Sequence, residues 1–369
     1  MSTTTPTPPK RDATMRPDDD DPGEPELDAV ESFALPPGAD PSIDWGLTSH
    51  LDASGSPKII ERHLVVPQDL AGLRLDHFIK TQITRLSRTK IQAIIEQQLT
   101  RSDGYVPKSA TTVAAGEHYV IRRPARAEPP CPRTFTVLLE APRFYVIDKP
   151  AGLPVHASAK FYFNTLTRVL SERFPDQPEL QICHRLDRET SGCLVVARDR
   201  DAAIAIKNAF ATKNVVRKEY LAVVHGVPEW DGERIVDLPL RLSQPGDPTR
   251  LPHVRMLPGP SGSTAITKVR VEQRRDTVSL VRCLLITGRQ HQIRAHLAAI
   301  GFPIVGDKLY GHGDDAFIEY CDRGLTAELA KLFVLPRQAL HAANVTFPDL
   351  TGTSHTAEAP LPSDMMSLL

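Results

Sequence analysis

The stretch Ile182-Cys183-His184-Arg185-Leu186-Asp187-Arg188-Glu189-Thr190-Ser191-Gly192 places five charged or titratable side chains in six residues and runs straight into the apolar segment Cys193–Ala197. That short apolar run reads as a buried strand, so the charged residues sit at its mouth. In extended backbone Arg185 and Asp187, two apart, point to one side and Leu186 to the other. An Arg beside an Asp keeps the carboxylate ionised. An ionised, positioned carboxylate suits a nucleophile or a general base. Thr190 and Ser191 can bond nearby backbone, and Gly192 relieves the tight entry to the strand. A structural ion pair at a strand end uses the same residues, and local chemistry leaves both readings open.

A second stretch, Thr287-Gly288-Arg289-Gln290-His291-Gln292-Ile293-Arg294-Ala295-His296-Leu297, leads from a strand into a helix. Arg289, His291, Arg294 and His296 form an anion-facing cluster if its first turn lines a cleft, and Gly288 allows a close backbone approach. His291 and His296 are five apart and do not share a helix face, so no metal site is expected on them. Two further stretches accompany these. Asp148-Lys149-Pro150-Ala151-Gly152-Leu153-Pro154-Val155-His156 is a strand running into a rigid loop. Lys218-Glu219-Tyr220-Leu221-Ala222 puts an aromatic at a strand start, where its ring can stack on a base or fill a half-buried position.

Around these stretches the chain of 369 residues divides readily. Residues 1–55 read as an acidic, disordered tail, apart from a Trp at Ile43-Asp44-Trp45-Gly46-Leu47 that can dock on the body. A compact module spans 60–124. Leu75, Phe78 and Ile79 share a helix face, and Ser87 caps a second helix with Ile91, Ile94 and Ile95 on its apolar side. Arg85, Arg88 and Lys90 crowd the start of that helix against its macrodipole, which suggests an anionic partner; a solvated cationic surface is the alternative. Residues 125–133 form a proline-rich linker. A larger domain fills 134–350, with strands expected at 135–139, 145–147, 193–197, 219–224, 265–271 and 279–286. Helices are expected at 164–173, 201–211 (capped by Asp201) and 291–300. Residues 351–369 read as a flexible C-terminus. Strands outnumber helices at hairpin-like spacing, so the class is α+β rather than a doubly wound sheet.

The formal net charge is −1, which argues weakly against a nucleic-acid partner. Its distribution changes that reading. Residues 1–52 carry three basic and twelve acidic side chains, net −9, so residues 53–369 carry +8; residues 53–130 alone hold twelve basic and seven acidic, net +5. The folded part can thus present basic surface to RNA. The five cysteines form no CxxC pair, and their odd number without a signal peptide points to a reducing compartment. No apolar run is long enough to span a membrane. A soluble, cytoplasmic protein with no membrane partner is expected.

The motifs together resemble the RluA family of pseudouridine synthases. The family marker HRLDxxTSG is present as His184–Gly192. Its GRTHQIRxH pattern matches Gly288 through His296, with Gln290 in place of Thr, and its DKPxGxxVH pattern matches Asp148–His156. The segment from Gly301 through Gly311 resembles the family's stretch after the helix, and Leu340-His341-Ala342 its closing strand. Residues 70–121 resemble an S4 RNA-binding domain through Leu86-Ser87-Arg88, with Ser102-Asp103-Gly104 replacing the usual Val-Asn-Gly turn.

The resemblance implies a pseudouridine synthase catalytic fold with a central, mostly antiparallel sheet, preceded by a small S4-like α/β domain. It implies Asp187 as the essential aspartate, Arg185 helping to position and charge it, Tyr220 stacking on the target base and Arg294 pairing with the aspartate. It implies RNA contacts from Arg85, Arg88, Lys90, Arg289 and His291, and neither metal nor cofactor. The implied reaction breaks the N1–C1′ bond of a uridine, turns the uracil and rejoins C1′ to C5. Attack on the sugar, addition to the base and removal of a sugar proton all stay open for the aspartate. The expected substrate is structured RNA, a uridine of large-subunit ribosomal RNA rather than transfer RNA, and the expected state a monomer. The long acidic N-terminus and the insert Leu257-Pro258-Gly259-Pro260-Ser261-Gly262 depart from the plainest members. Two competing readings remain. A non-catalytic RNA-binding or ribosome assembly factor would share the front module without needing Asp187 and Arg294 in register. A carboxylate glycosidase would need a second acid, Asp148 or Asp307, near Asp187.

Overall fold

The computed structural model describes residues 33–36, 39–84, 86–158 and 160–369. The described residues fall into two compact units, one built on 47–129 with 157–163, the other on 39–46, 130–156 and 164–369. Most of the expected acidic tail lies outside the described residues, as does Arg85.

The first unit pairs β1 (Ile59–Val65) with β3 (His118–Pro124), and β3 with β2 (Leu99–Arg101), all antiparallel. Two helices pack on this sheet, α1 (Leu75–Gln82) and α2 (Arg88–Gln98). Phe78, Ile79, Ile91, Ile95 and Tyr119 are at most 1% exposed and share one core. Each such aliphatic side chain contributes roughly 1.5–3 kcal/mol by leaving water. Ser87 caps α2 as its position suggests, its hydroxyl accepting from the Lys90 N–H at 3.3 Å.

In the second unit, ten strands of the described residues form one sheet, whose main path uses eight. They are β4 (Thr136–Ala141), β5 (Phe144–Lys149), β6 (Gln181–Ile182), β7 (Ser191–Ala197), β8 (Arg217–His225) and β9 (Glu233–Asp237). A short hairpin, β10 (Leu240–Leu242) with β11 (Met256–Pro258), stands apart from the sheet. The sheet continues with β12 (Ile266–Arg274), β13 (Val278–Leu285), β14 (Leu340–Pro348) and β15 (Ser354–Glu358). The order is β4-β5-β7-β14-β8-β13-β12-β9, with β6 added to β7 and β15 to β14. Pairings are antiparallel except β14 with β7, which is parallel. The class is therefore α+β with a mostly antiparallel sheet, as expected.

All seven residues of β7 are buried. Leu194 and Val196 enter one core with Tyr145, Ile147 and the helix α3 (Leu166–Arg173). Cys193, Val195 and Ala197 enter a second core under α4 (Arg200–Ala211). A strand covered on both faces reads as an unbroken apolar run, which is why Cys193–Ala197 stood out. The cap of α4 is Asp199 rather than Asp201: the Asp199 carboxylate accepts from Ala202 N–H at 2.9 Å, the geometry an N-cap requires. The remaining helices are α5 (Gln292–Ala299), α6 (Asp314–Arg323), α7 (Ala327–Phe333) and α8 (Ser363–Met366).

Two segments differ from expectation. Residues 351–369 carry regular structure: they supply β15, which pairs with β14 from Asn344 to Pro348, and α8, whose Met365 is fully buried. Residues 130–133 do not act as a free linker. Cys131 N–H donates to Trp45 O at 3.1 Å, and the buried Arg133 pairs with Asp44 at 3.1 Å. These contacts satisfy backbone and charge that an extended proline-rich connection would leave to water. No helix of the described residues is long and apolar enough to cross a membrane.

Candidate active site

Asp187 lies in the loop between β6 and β7. The loop turns locally, with Thr190 N–H donating to Asp187 O at 3.1 Å. It is anchored from beneath by Lys149, whose side chain is fully buried. The Lys149 ammonium donates to Pro150 O at 2.7 Å, Leu153 O at 2.9 Å and Arg188 O at 3.1 Å. Gly152 N–H also donates to Arg188 O, at 2.8 Å. The rigid loop after β5 and the loop carrying Asp187 are thus tied at one carbonyl. Burial pushes the Lys149 ammonium down to about 7.

The exit of the loop depends on Gly192. Its φ is +110°, and a Cβ there would lie 2.3 Å from Ala342 O on the parallel strand β14. Only a glycine permits this approach. Glu189 and Thr190 are held from the segment before β14. Gln338 N–H donates to Glu189 at 3.2 Å and Gln338 Nε2 to Thr190 Oγ1 at 2.8 Å. Lys308 pairs with Glu189 at 2.8 Å and Arg188 with Glu189 at 3.0 Å. Gln338 Nε2 also reaches Asp187 Oδ2, at 3.4 Å.

The charge partner of Asp187 is Arg294 on α5. Arg294 Nη1 donates to Asp187 Oδ2 at 2.9 Å. The other edge of the same guanidinium grips Asp307 through Nε at 2.7 Å and Nη2 at 2.9 Å. Asp307 is fully buried and also accepts the N–H groups of Leu309 and Tyr310, each at 3.0 Å. The Tyr310 ring lies against the guanidinium, with its centroid 5.1 Å away. Arg294 is therefore fixed before it meets Asp187. Burial pushes the Asp187 carboxyl up, but Arg294, aided by His291 and Gln338, outweighs it and holds the group below the ordinary carboxylate value. The Asp187 side chain keeps 33% of its surface open.

His291 caps α5 in the left-handed region, with φ 52°. Its Nδ1 lies 3.2 Å from the Tyr310 hydroxyl, and its Nε2 lies 4.0 Å from Asp187 Oδ2. The Tyr310 oxygen already accepts Met256 N–H at 2.8 Å, which frees its hydrogen for Nδ1 and turns a protonated Nε2 toward the carboxylate. Burial and the neighbouring Arg294 push the His291 imidazole down to about 4, so it is neutral near pH 7. Tyr220 on β8 is buried, and burial together with the charge of Asp187 raises its hydroxyl above the ordinary phenol value.

The other expected site residues scatter. Arg185 makes no ion pair or hydrogen bond with Asp187 among the described residues: its side chain is exposed, and the carboxylate pairs with Arg294 instead. Burial is the main cause that depresses His156 and His291, and the charge of Arg185 adds to it at both. Arg289 is exposed and donates to Thr264 O at 3.1 Å. His296 is wholly buried between Thr267 and Leu238 O and serves the fold. In the first unit Arg88 is 67% exposed and reaches the buried Asp76 at 3.5 Å, while Lys90 is exposed. The glycosidase alternative needed a free second acid. Asp307 is near, but both its oxygens are taken by Arg294 and backbone, and it has no exposed surface. Gln338, Glu189 and Lys149 were not singled out from sequence as supports. Their roles depend on segments far apart in the chain, and only the motif around Asp148–His156 offered a signal.

Residues 143–299 match the family model of RNA pseudouridylate synthase. The chain is 35% identical over 320 residues to ribosomal large subunit pseudouridine synthase D of Nitrosomonas europaea, covering 83% of this chain and 86% of that one. It is 34% identical to an uncharacterized RNA pseudouridine synthase of Chloroflexus aurantiacus, covering 84% and 93%. Among solved structures, human RNA pseudouridylate synthase domain containing 4 is 28% identical and covers 62% of this chain and 90% of that one, with a TM-score of 0.49. With its motifs in order along the whole matched length, the chain belongs to the RluA family of RNA pseudouridine synthases.

Proposed function

We propose that this enzyme isomerises a uridine of large-subunit ribosomal RNA, with Asp187 as the catalytic carboxylate. The observation that carries the catalytic part is the Arg294 bridge: one rigid guanidinium, neutralised on its far side by Asp307, presents Nη1 to an Asp187 that keeps a third of its surface open. The arrangement keeps an anion ready without covering it. Such a group can act at the sugar or the base while the N1–C1′ bond breaks and the C1′–C5 bond forms. Nothing is consumed, since substrate and product are isomers. The target nucleotide must leave its stack to reach the carboxylate. Tyr220 is the ring on which the turned base stacks, and Arg185 supplies positive charge at the mouth.

The substrate claim rests on the relatives and on the first unit. Relatives at 30–35% identity are named ribosomal large subunit pseudouridine synthases. We further propose that the first unit is an S4-like domain that binds RNA through α2, using Arg85, Arg88 and Lys90, and that the enzyme works as a cytoplasmic monomer without metal or cofactor. The test is transcriptome-wide pseudouridine mapping in cells with and without the gene. Loss of one or a few sites in large-subunit RNA is expected. Loss confined to transfer or messenger RNA overturns the substrate claim.

A further inference from the structure

Lys218 stands out among the partly buried lysines. Lys149 is satisfied by three carbonyls, Lys308 by Glu189 and Pro336 O, Lys207 by Gln181 and Lys268 by Glu233. Lys218 has no carboxylate and no hydrogen-bond acceptor among the described residues. Its surroundings are apolar or bare. The ammonium stands 5.9 Å from the centroid of the Phe210 ring, and that ring stacks on His184 at 4.3 Å. On the other side it lies 3.1 Å from where a Cβ on Gly288 would be. Burial lowers its affinity for the proton, and no neighbouring charge opposes this. One distant ring face is a weak return for desolvating a cation.

The position explains what such a group is for. Lys218 precedes Tyr220 by two residues on β8, so both side chains leave the same face of the sheet, roughly 7 Å apart along the strand. Gly288 is exposed and opens the turn that carries His291, whose Nε2 is 4.0 Å from Asp187. The ammonium thus stands beside the turn that opens the second motif stretch, on the strand that carries Tyr220, the ring proposed to stack on the base. A glycine at 288 keeps a side chain out of the space around it.

We propose that Lys218, with the bare backbone at Gly288, forms an anion subsite that holds a phosphodiester of the RNA strand next to the target uridine. This rests on RNA being the substrate, and it adds a site for the backbone to the site for the base.

The test uses the full chain and its Lys218→Met and Lys218→Arg variants on in vitro transcribed large-subunit ribosomal RNA labelled with tritium at uridine C5. Met keeps the aliphatic stem and removes the charge. Lys218→Met is expected to raise KM about tenfold, the scale of one charge-assisted contact, with kcat near the wild-type value. The log–log salt dependence of RNA affinity should become shallower by about one. Lys218→Arg should restore most of the affinity, and the thermal midpoint of Lys218→Met should match the wild type. Unchanged KM and salt slope overturn the subsite. So does a loss that Arg fails to rescue or that comes with a lowered midpoint, since a merely structural lysine behaves that way. If the wild type releases no tritium from ribosomal RNA, the same comparison is made on labelled transfer RNA. The ribosomal reading then falls, while the subsite still stands or falls on the Lys218 variants.

Discussion

Arg294 meets Asp187 through a single hydrogen bond, Nη1 to Oδ2 at 2.9 Å, with both other donating edges of the guanidinium turned away to Asp307. Neutralising Asp187 therefore leaves Arg294 with a complete ion pair. Asp187→Asn should abolish tritium release and change unfolding stability by only about 1 kcal/mol, the net worth of one hydrogen bond. Because the Asp187 carboxyl titrates below its ordinary value, its contribution to stability is present above the unfolded pKa and lost as pH falls through the lower folded one. Activity limited by this group should fall only on the far acid side. Turnover retained by Asp187→Asn would remove it from the reaction.

Asp307 should behave in the opposite way. Asp307→Ala strands a buried guanidinium and two backbone N–H groups, and should cost about 3–5 kcal/mol in urea unfolding. Asp307→Asn keeps the shape and part of the bonding and should cost less. Activity in Asp307→Asn should drop through kcat, because Arg294 loses the partner that aims it. An unperturbed kcat would show that Arg294 needs no such support.

Three histidines, His341 buried and His184 and His291 half-buried, are held neutral by desolvation: His184 down to about 3, His291 and His341 to about 4. Each folded-state value is depressed, so protons bind the unfolded chain first. Their stabilisation is complete above roughly pH 6.5, the free imidazole value, and is lost as pH falls toward about 3–4. Chemical denaturation at a series of pH values should show stability falling across that window, before most carboxylates titrate. A flat profile there would mean that these rings are accessible to protons in the native state.

Gly192→Ala tests the join of β7 to β14. The added Cβ meets Ala342 O at 2.3 Å with φ at +110°, so the strands must part. The expected loss is about 3 kcal/mol or more, from overpacking and backbone strain together. Activity should fall with it, because the same join carries Gln338 to Thr190 and Asp187. Gly301→Ala, at φ +88° with open space around it, is the control for strain alone.

In the first unit, replacing Arg85, Arg88 and Lys90 by Ala should weaken RNA binding across sequences and flatten its salt dependence. Arg88 also touches the buried Asp76, so the single change Arg88→Ala should carry a small stability cost. Affinity unchanged through a salt titration would show that this unit does not hold RNA.

The order of legibility along the sequence has a physical basis. Strand β7 is plain because burial on both faces leaves its stretch Cys193–Ala197 continuously apolar, and the Ser87 cap because capping chemistry is local. The pairing of Asp187 with Arg294 could be reached only through family resemblance, since 107 residues separate them. Arg185, two residues away, is the nearest charge a sequence offers to Asp187, yet its exposed side chain makes no ion pair with it among the described residues. The C-terminal strand was missed because Ser354–Glu358 alternates only weakly and gains its order by pairing with β14. Gln338 carries no motif signal: an amide matters here for where the parallel strand places it.

That parallel strand bears on the order in which the enzyme is made. β14 sits in the middle of the sheet, between β7 and β8, although it is the next-to-last strand synthesised. While translation is still short of residue 348 the nascent chain has Asp187, Tyr220 and Arg294 but an open slot where β14 belongs. The first unit, complete by residue 163, can already fold during this time. On the proposal that the first unit binds RNA, growth of the chain separates holding RNA from changing it: a truncated product would keep the grip, lack the chemistry and compete with the finished enzyme for the same RNA.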